Sequence, residues 1–122
     1  MMKNACAAVL ALLLPCAALA TTEGPLQVKT TAGGTAGSIV AGGTFQTLLA
    51  QTPSRLGCQI INPTTATETL FVYVGTGTPT TTKSIPLVPG GAFTCNFGSV
   101  VLIDQISVEA TTTSHAFVYM TE

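Results

Sequence analysis

The chain has 122 residues, the length of one domain, and its four lysines and arginines against five acidic residues give a formal net charge of −1 at pH 7. Charged residues make up 7% of the sequence, far below the usual quarter for a globular protein. A nucleic-acid-binding protein needs cations clustered along a groove, and these few scattered cations exclude that class.

The first twenty residues, MMKNACAAVLALLLPCAALA, have the layout of a secretory signal peptide. Lys3 supplies the positive start, an apolar stretch follows, and Ala18 and Ala20 supply the small residues that signal peptidase recognises. The apolar stretch is shorter than the roughly 20 residues that span a bilayer. We therefore predict a signal-peptide helix over residues 1–20, cleaved after Ala20, and contact with a membrane only through this signal. Lipid attachment at Cys16 and an uncleaved anchor are the alternatives.

The remainder of the chain divides at residue 43. Residues 21–43 are rich in threonine, glycine and alanine, which predicts an extended arm or linker. From residue 44 onward apolar residues recur at every second position, and turn residues separate the segments at intervals of about 8 to 12 residues. We predict one all-β domain over residues 44–122, a small antiparallel β-sandwich of about seven or eight strands with an Ig-like or jelly-roll-like arrangement. Its predicted strands are TFQTLLA (44–50), LGCQII (56–61), TLFVYV (69–74), SIPLV (84–88), AFTCNF (92–97), VVLI (100–103), QISVEA (105–110) and HAFVYM (115–120).

Two cysteines, Cys58 and Cys95, remain after removal of the signal peptide. An even number of cysteines in an exported domain predicts a disulfide, and a bridge that closes roughly 38 residues would stabilise the fold by about 4 kcal/mol. Both cysteines lie on apolar faces of their predicted strands, which suits a bridge inside the core. Two separate buried thiols are the alternative. Two cysteines without a companion histidine do not make a zinc site, so we predict no metal.

Two of the predicted strands are apolar on both faces. In TLFVYV, Phe71 and Tyr73 lie opposite a face of leucine and valine, and in HAFVYM, Phe117 and Tyr119 lie opposite alanine, valine and methionine. Each sheet of a single sandwich has one outer face, so a second apolar face requires cover. We predict that these four aromatic residues form a subunit interface, with cover by the N-terminal arm as the alternative.

No motif in the chain predicts catalysis. The stretch GTGTPTTTK (75–83) begins like a glycine-rich phosphate loop, but it leads into another strand rather than a helix and lacks the Gly-Lys-Ser/Thr sequence, so we interpret it as a connection between strands. His115 is the only histidine and no serine lies in a nucleophile elbow, so we expect a solvated or partly packed strand residue. The carboxylates Glu68, Asp104 and Glu109 have no spacing that pairs them for hydrolysis. We predict a protein without enzymatic activity, catalytic residues or cofactor.

The segments IINPTTATETLFVYVG (60–75), TTTKSIPLVPGGAF (80–93) and SHAFVYM (114–120) resemble a group of small β-rich proteins of tailed-phage virions, the head-decoration, head-fibre and tail-associated proteins. The resemblance covers about two-thirds of the chain and rests on strand and turn residues. It implies a structural role for a small sandwich that sits on a shell or fibre, trimerises or binds a lattice, and sometimes contacts a host surface. Members of that group assemble in the cytoplasm without a signal peptide, where Cys58 and Cys95 would stay reduced, and the N-terminus of this chain departs from their pattern.

These features together predict a structural β-sandwich used for assembly or surface display, related to phage decoration or fibre proteins. We expect homo-oligomers or contacts with virion shell or fibre proteins, with a host surface as a further candidate partner. The expected location is the virion surface or, after export, the periplasm or the exterior. The alternative function is a secreted bacterial module for adhesion or glycan binding that acts as a monomer.

Overall fold

The computed structural model describes residues 34–122 of the chain. The predicted signal peptide, with Ala18 and Ala20, and the predicted arm up to residue 33 lie outside the described residues. Within residues 34–122 the chain forms ten β-strands and one short 3-10 turn at Thr81–Lys83, without an α-helix. The strands are β1 (Thr35–Ser38), β2 (Gln46–Leu49), β3 (Cys58–Ile61), β4 (Leu70–Val74), β5 (Ile85–Leu87), β6 (Ala92–Thr94), β7 (Asn96–Phe97), β8 (Val100–Val101), β9 (Ile106–Glu109) and β10 (Ala116–Thr121).

The strands form two four-stranded sheets and one separate hairpin. The first sheet has the order β1-β10-β3-β6, the second sheet has the order β2-β9-β4-β5, and β7 pairs only with β8. Every pairing is antiparallel. The prediction of an all-β, antiparallel, sandwich-like domain is confirmed.

Two strands differ from the sequence-based expectation. Strand β1 lies inside the segment that was expected to be an arm or linker, and it pairs with the first four of the six residues of β10. The predicted strand AFTCNF is divided at Cys95 into β6 and β7. The amide of Asn96 donates a hydrogen bond to the Thr94 hydroxyl over 3.1 Å, and such a local bond competes with the sheet ladder and turns the chain.

The core lies between the two four-stranded sheets because alternate side chains of their strands point inward. Its apolar members come from both sheets, and none is more than 7% exposed. They are Ile39, Cys58, Ile60, Leu70, Val72, Leu87, Phe93, Cys95, Ile106, Val108, Ala110 and Phe117.

The antiparallel registers place the connecting loops at two opposite ends of the sandwich. The histidine end consists of loops 39–45, 62–69, 88–91 and 110–115. The hairpin end consists of loops 50–57, 75–84 and 95–105, the last of which contains β7 and β8. Since binding residues concentrate on loops carried by a rigid scaffold, these two ends and the outer sheet faces are the surfaces on which a function can lie.

Candidate functional site

The four aromatic residues that were expected to form one interface lie on different sides of the molecule. Phe71 and Tyr73 are half-buried on the outer face of the second sheet. Phe117 is 1% exposed within the core, and Tyr119 packs against the core from the same face of β10. The prediction of a shared contact surface is therefore wrong for Phe117, and Tyr119 shares its inward orientation.

The inward orientation of Phe117 has a local cause in the neighbouring strand. Gly37 of β1 lies directly across from Phe117, and a Cβ atom at Gly37 would overlap the Phe117 ring. The missing side chain leaves room for the ring, so the opposite face of β10 turns outward with Val118 and Met120. Ile61 of β3 lies beside Val118, and together these residues form an uncharged, half-buried outer face of the first sheet.

The outer face of the second sheet buries polar groups beside aromatic rings. Phe45 and Tyr73 come from the two sides of strand β9, and their rings meet edge to face with centroids 6.3 Å apart. On β9 itself, Ser107 and Glu109 are only 3% and 5% exposed. Atom Oε2 of Glu109 has no hydrogen-bond partner. Burial and, to a lesser extent, the nearby Glu68 carboxylate raise the pKa of Glu109, so this environment favours the neutral carboxyl group.

A buried polar cluster lies at the histidine end, where loops 62–69 and 110–115 meet. Nδ1 of His115 lies 3.1 Å from Oε1 of Glu68, and Nε2 lies 3.0 Å from Oδ1 of Asn62. The Asn62 amide nitrogen donates to the carbonyl oxygens of Glu68 and Leu87 over 2.9 and 2.8 Å. The Thr112 amide donates to Oε1 of Glu68 over 3.2 Å. The cluster therefore ties two loops and the end of β5 together.

His115 in this cluster is not arranged for catalysis by a serine or threonine. Oδ1 of Asn62 can only accept a hydrogen bond, so Nε2 of His115 donates to it, while Nδ1 faces the Glu68 carboxylate. Among residues 34–122, no hydroxyl group is hydrogen-bonded to either ring nitrogen, so a nucleophile next to the base is missing from the described part of the chain. The expectation that His115 is solvated or partly packed is also wrong, because its buried side chain lies between two polar partners.

A hydroxyl-lined pocket of about 250 Å³ opens beside this cluster. It is lined by residues of loops 62–69 and 110–115 and the start of β10, among them His115 and Glu68 and the apolar residues Pro63, Ala66 and Ala116. Ser114 lies on its rim with φ at 68°, a left-handed conformation that is uncommon outside glycine and asparagine. The hydroxyl groups come from Thr65, Thr67, Thr112, Thr113 and Ser114.

The hairpin end is held by one buried cation. The Arg55 guanidinium donates to the carbonyl oxygens of Leu102 and Asp104 over 3.0 and 2.8 Å and to that of Ala50 over 2.6 Å. These bonds fix loop 50–57 to the segment that follows the β7–β8 hairpin. The bonds of Arg55 and the His115 cluster at the opposite end have no local sequence signal, because each joins residues that are distant in the chain.

The structure joins Cys58 and Cys95 in a disulfide with a Cα–Cα distance of 5.0 Å. The bridge links the start of β3 to the residue after β6, and the Cys95 amide also donates to the Cys58 carbonyl oxygen over 2.9 Å. Covalent and hydrogen bonds thus fix the base from which the β7–β8 hairpin projects.

The stretch GTGTPTTTK forms the connection between the paired strands β4 and β5. Within residues 34–122, no three histidine, cysteine, aspartate or glutamate side chains come together as metal ligands. No helix in the same range has the length and apolar character needed to pass through a bilayer. No protein-family model, curated protein or solved structure matches this chain.

Proposed function

We propose that this chain is a non-enzymatic structural protein, a small β-sandwich that assembles into homo-oligomers for decoration or display at a surface. The phage-related part of the proposal, a decoration or fibre-type protein that contacts virion shell or fibre proteins, rests on the sequence resemblance alone. Export to the periplasm or exterior rests on the N-terminal signal pattern. A host surface is the further partner that such display would serve.

The proposal is carried by the distribution of exposed apolar side chains on a rigid scaffold. Seven large apolar residues are exposed among residues 34–122. Two of them, Val40 and Val88, lie at the histidine end, four lie at the hairpin end, and Ile85 is the first residue of β5. Clustered exposed apolar side chains often mark protein–protein contact sites. The four at the hairpin end are Leu56, Phe97, Val100 and Ile103.

We infer further that the sandwich is a jelly roll rather than an Ig-like fold. With the β7–β8 hairpin regarded as an insertion, eight strands remain and pair as β1 with β10, β2 with β9, β3 with β6 and β4 with β5. This nested pairing is that of one long hairpin folded over into two sheets, which supports the jelly-roll assignment. Jelly rolls occur in viral capsid and in lectin domains, so the fold alone does not choose between assembly and glycan binding.

The assembly proposal is tested by the mass of the protein in solution. We expect a defined oligomer at tens of micromolar by native mass spectrometry or analytical ultracentrifugation. A monomer over that concentration range would refute the assembly function. The phage-related part is tested separately by mass spectrometry of purified virus-like particles from cells that express the protein, since the protein should be recovered with the particles.

A second candidate function, glycan binding by a secreted monomer, is favoured by the hydroxyl-lined pocket at the histidine end. Hydroxyl and carboxylate groups are suitable hydrogen-bond partners for a sugar. Binding on a glycan array that is lost in Thr65→Val/Thr67→Val, but retained in a Thr81→Val/Thr82→Val control at the opposite end, would favour this function over assembly.

A further inference from the structure

The β7–β8 hairpin carries an apolar pair on its exposed surface. Phe97 and Val100 lie directly across from each other in the ladder and are 55% and 60% exposed. Gly98, in the turn between them, has φ at 63°, which suits the tight connection. A two-stranded ribbon alone is marginally stable in water, so cover for this pair would stabilise the hairpin.

The adjoining loops add two more exposed apolar side chains to this pair. Leu56 is 59% and Ile103 is 40% exposed. The patch of these four residues is called the hairpin patch below. It presents on the order of 400 Å² of apolar surface, which is the size of functional patches on monomers and about half of what one partner contributes to a standard interface.

The hairpin patch is held rigidly and cannot readily fold back onto its own core. Val101 of β8 packs against the core, and the Leu102 amide donates to the Cys95 carbonyl oxygen over 2.9 Å. The Thr52 amide donates to the Ile103 carbonyl oxygen over 3.0 Å. The Arg55 guanidinium donates to the carbonyl oxygens on either side of it, those of Leu102 and Asp104. A preorganised apolar surface loses little conformational entropy when a partner covers it.

The charges around the hairpin patch argue against an anionic membrane or a polyanion as the partner. The continuous segment 84–103 contains no charged residue. The Arg55 guanidinium is engaged by three carbonyl groups, which leaves Lys83 as the exposed cation among residues 34–122. Anionic lipid surfaces and nucleic acids are bound through several cations, and one lysine does not supply them.

A concave surface next to the hairpin patch complements it. A hollow of about 400 Å³ at the same end is lined on one side by Leu48, Leu49 and Ala50. The rest of its lining is polar or charged and consists of Thr52, Ser54, Arg55, Thr121 and Glu122. Since the projecting hairpin and the hollow lie at the same end, a twofold rotation can bring the hairpin of each copy to the hollow of the other, as an isologous interface requires.

We propose that two copies of this chain associate through their hairpin ends, with the Phe97–Val100 hairpin of each copy packed against the Leu48–Ala50 hollow of the other. The inference rests on the proposed assembly function and assigns its contact surface. It differs from the predicted interface of Phe71, Tyr73, Phe117 and Tyr119, of which Phe117 belongs to the core.

The test compares two double variants of the full chain that remove exposed apolar side chains from opposite ends. Phe97→Ser/Val100→Thr changes the hairpin patch, and Val40→Ser/Val88→Thr changes exposed valines at the histidine end. Sedimentation velocity and native mass spectrometry from 1 to 100 μM give the dimer dissociation constant of each. We expect the hairpin variant to weaken the dimer about 100-fold and the control to leave it within a few-fold, since two central apolar anchors are removed only from the former. Circular dichroism and urea midpoints check that both variants remain folded.

The outcomes separate this inference from the proposed function. A monomeric wild-type chain at 100 μM would refute the assembly function and this contact with it. A wild-type oligomer that the hairpin variant leaves intact would refute only the contact, because assembly would then use another surface. A trimer that the hairpin variant dissociates would overturn the twofold arrangement. Binding of a monomeric wild-type chain to phosphatidylcholine vesicles, lost in the hairpin variant, would assign the patch to a lipid surface instead.

Discussion

Replacement of Asn62 by alanine is expected to destabilise the fold by about 4 kcal/mol. The side chain is fully buried and makes three hydrogen bonds, two as donor to the carbonyl groups of Glu68 and Leu87 and one as acceptor from His115. A net hydrogen bond contributes about 1 kcal/mol, and a buried polar group left without a partner costs about 1 to 3 kcal/mol more. The bond to the Leu87 carbonyl is fully buried, so at least one such penalty is expected.

The measurement is urea unfolding at pH 7, followed by circular dichroism, with the disulfide intact. A domain of this size loses about 1 kcal/mol of stability per molar urea, so the midpoint should fall by about 4 M, or the variant should be unfolded in water. Asn96→Ala is the matched control, because Asn96 is an exposed asparagine and its loss should change stability by no more than about 0.5 kcal/mol.

A loss below about 1 kcal/mol for Asn62→Ala would refute the reasoning, since it would mean that water replaces the lost donor and that the cluster does not hold the loops. If the variant does not fold at all, His115→Ala provides the graded measurement. It removes one bond of Asn62 and the contact with Glu68, and we expect a loss of about 2 kcal/mol.

Three further predictions concern other parts of the fold. The double variant Cys58→Ala/Cys95→Ala should lose about 4 kcal/mol of unfolding free energy, and a reductant should cause the same loss in the wild type but none in the variant. Burial raises the pKa of Glu109 above its ordinary value near 4.5, so burial favours the neutral carboxyl group. The stability that the neutral group contributes is fully present below that ordinary pKa and is lost as pH rises through the raised pKa. Glu109→Gln should therefore be more stable than the wild type at pH 7 but not at about pH 3.5, and an equal difference at both pH values would contradict this cause. Gly37→Ala should cost about 1 to 3 kcal/mol because the added methyl group overlaps a core ring, whereas Ala36→Val on the outer face should stay within about 0.5 kcal/mol.

The sequence by itself determined the fold class and most of the strands. Side chains of a strand point alternately to its two faces, so the pattern of CQII and LFVYV is a local property that is readable without the rest of the chain. The same holds for turns such as Pro89-Gly90-Gly91, where Gly90 takes a positive φ of 83°. Alternation also placed both cysteines on apolar faces, and the structure joins them in a disulfide between the start of β3 and the residue after β6.

Only the tertiary structure decided which face of β10 turns inward and which polar residues meet. Both faces of that strand are apolar, so the choice depended on Gly37 in a neighbouring strand that leaves space for Phe117. His115 contacts Asn62 across 53 residues, and Arg55 contacts carbonyl groups 47 and 49 residues away. Such contacts follow from the order of strands in the sheets, and the period of two that identifies a strand carries no information about which strand lies beside it.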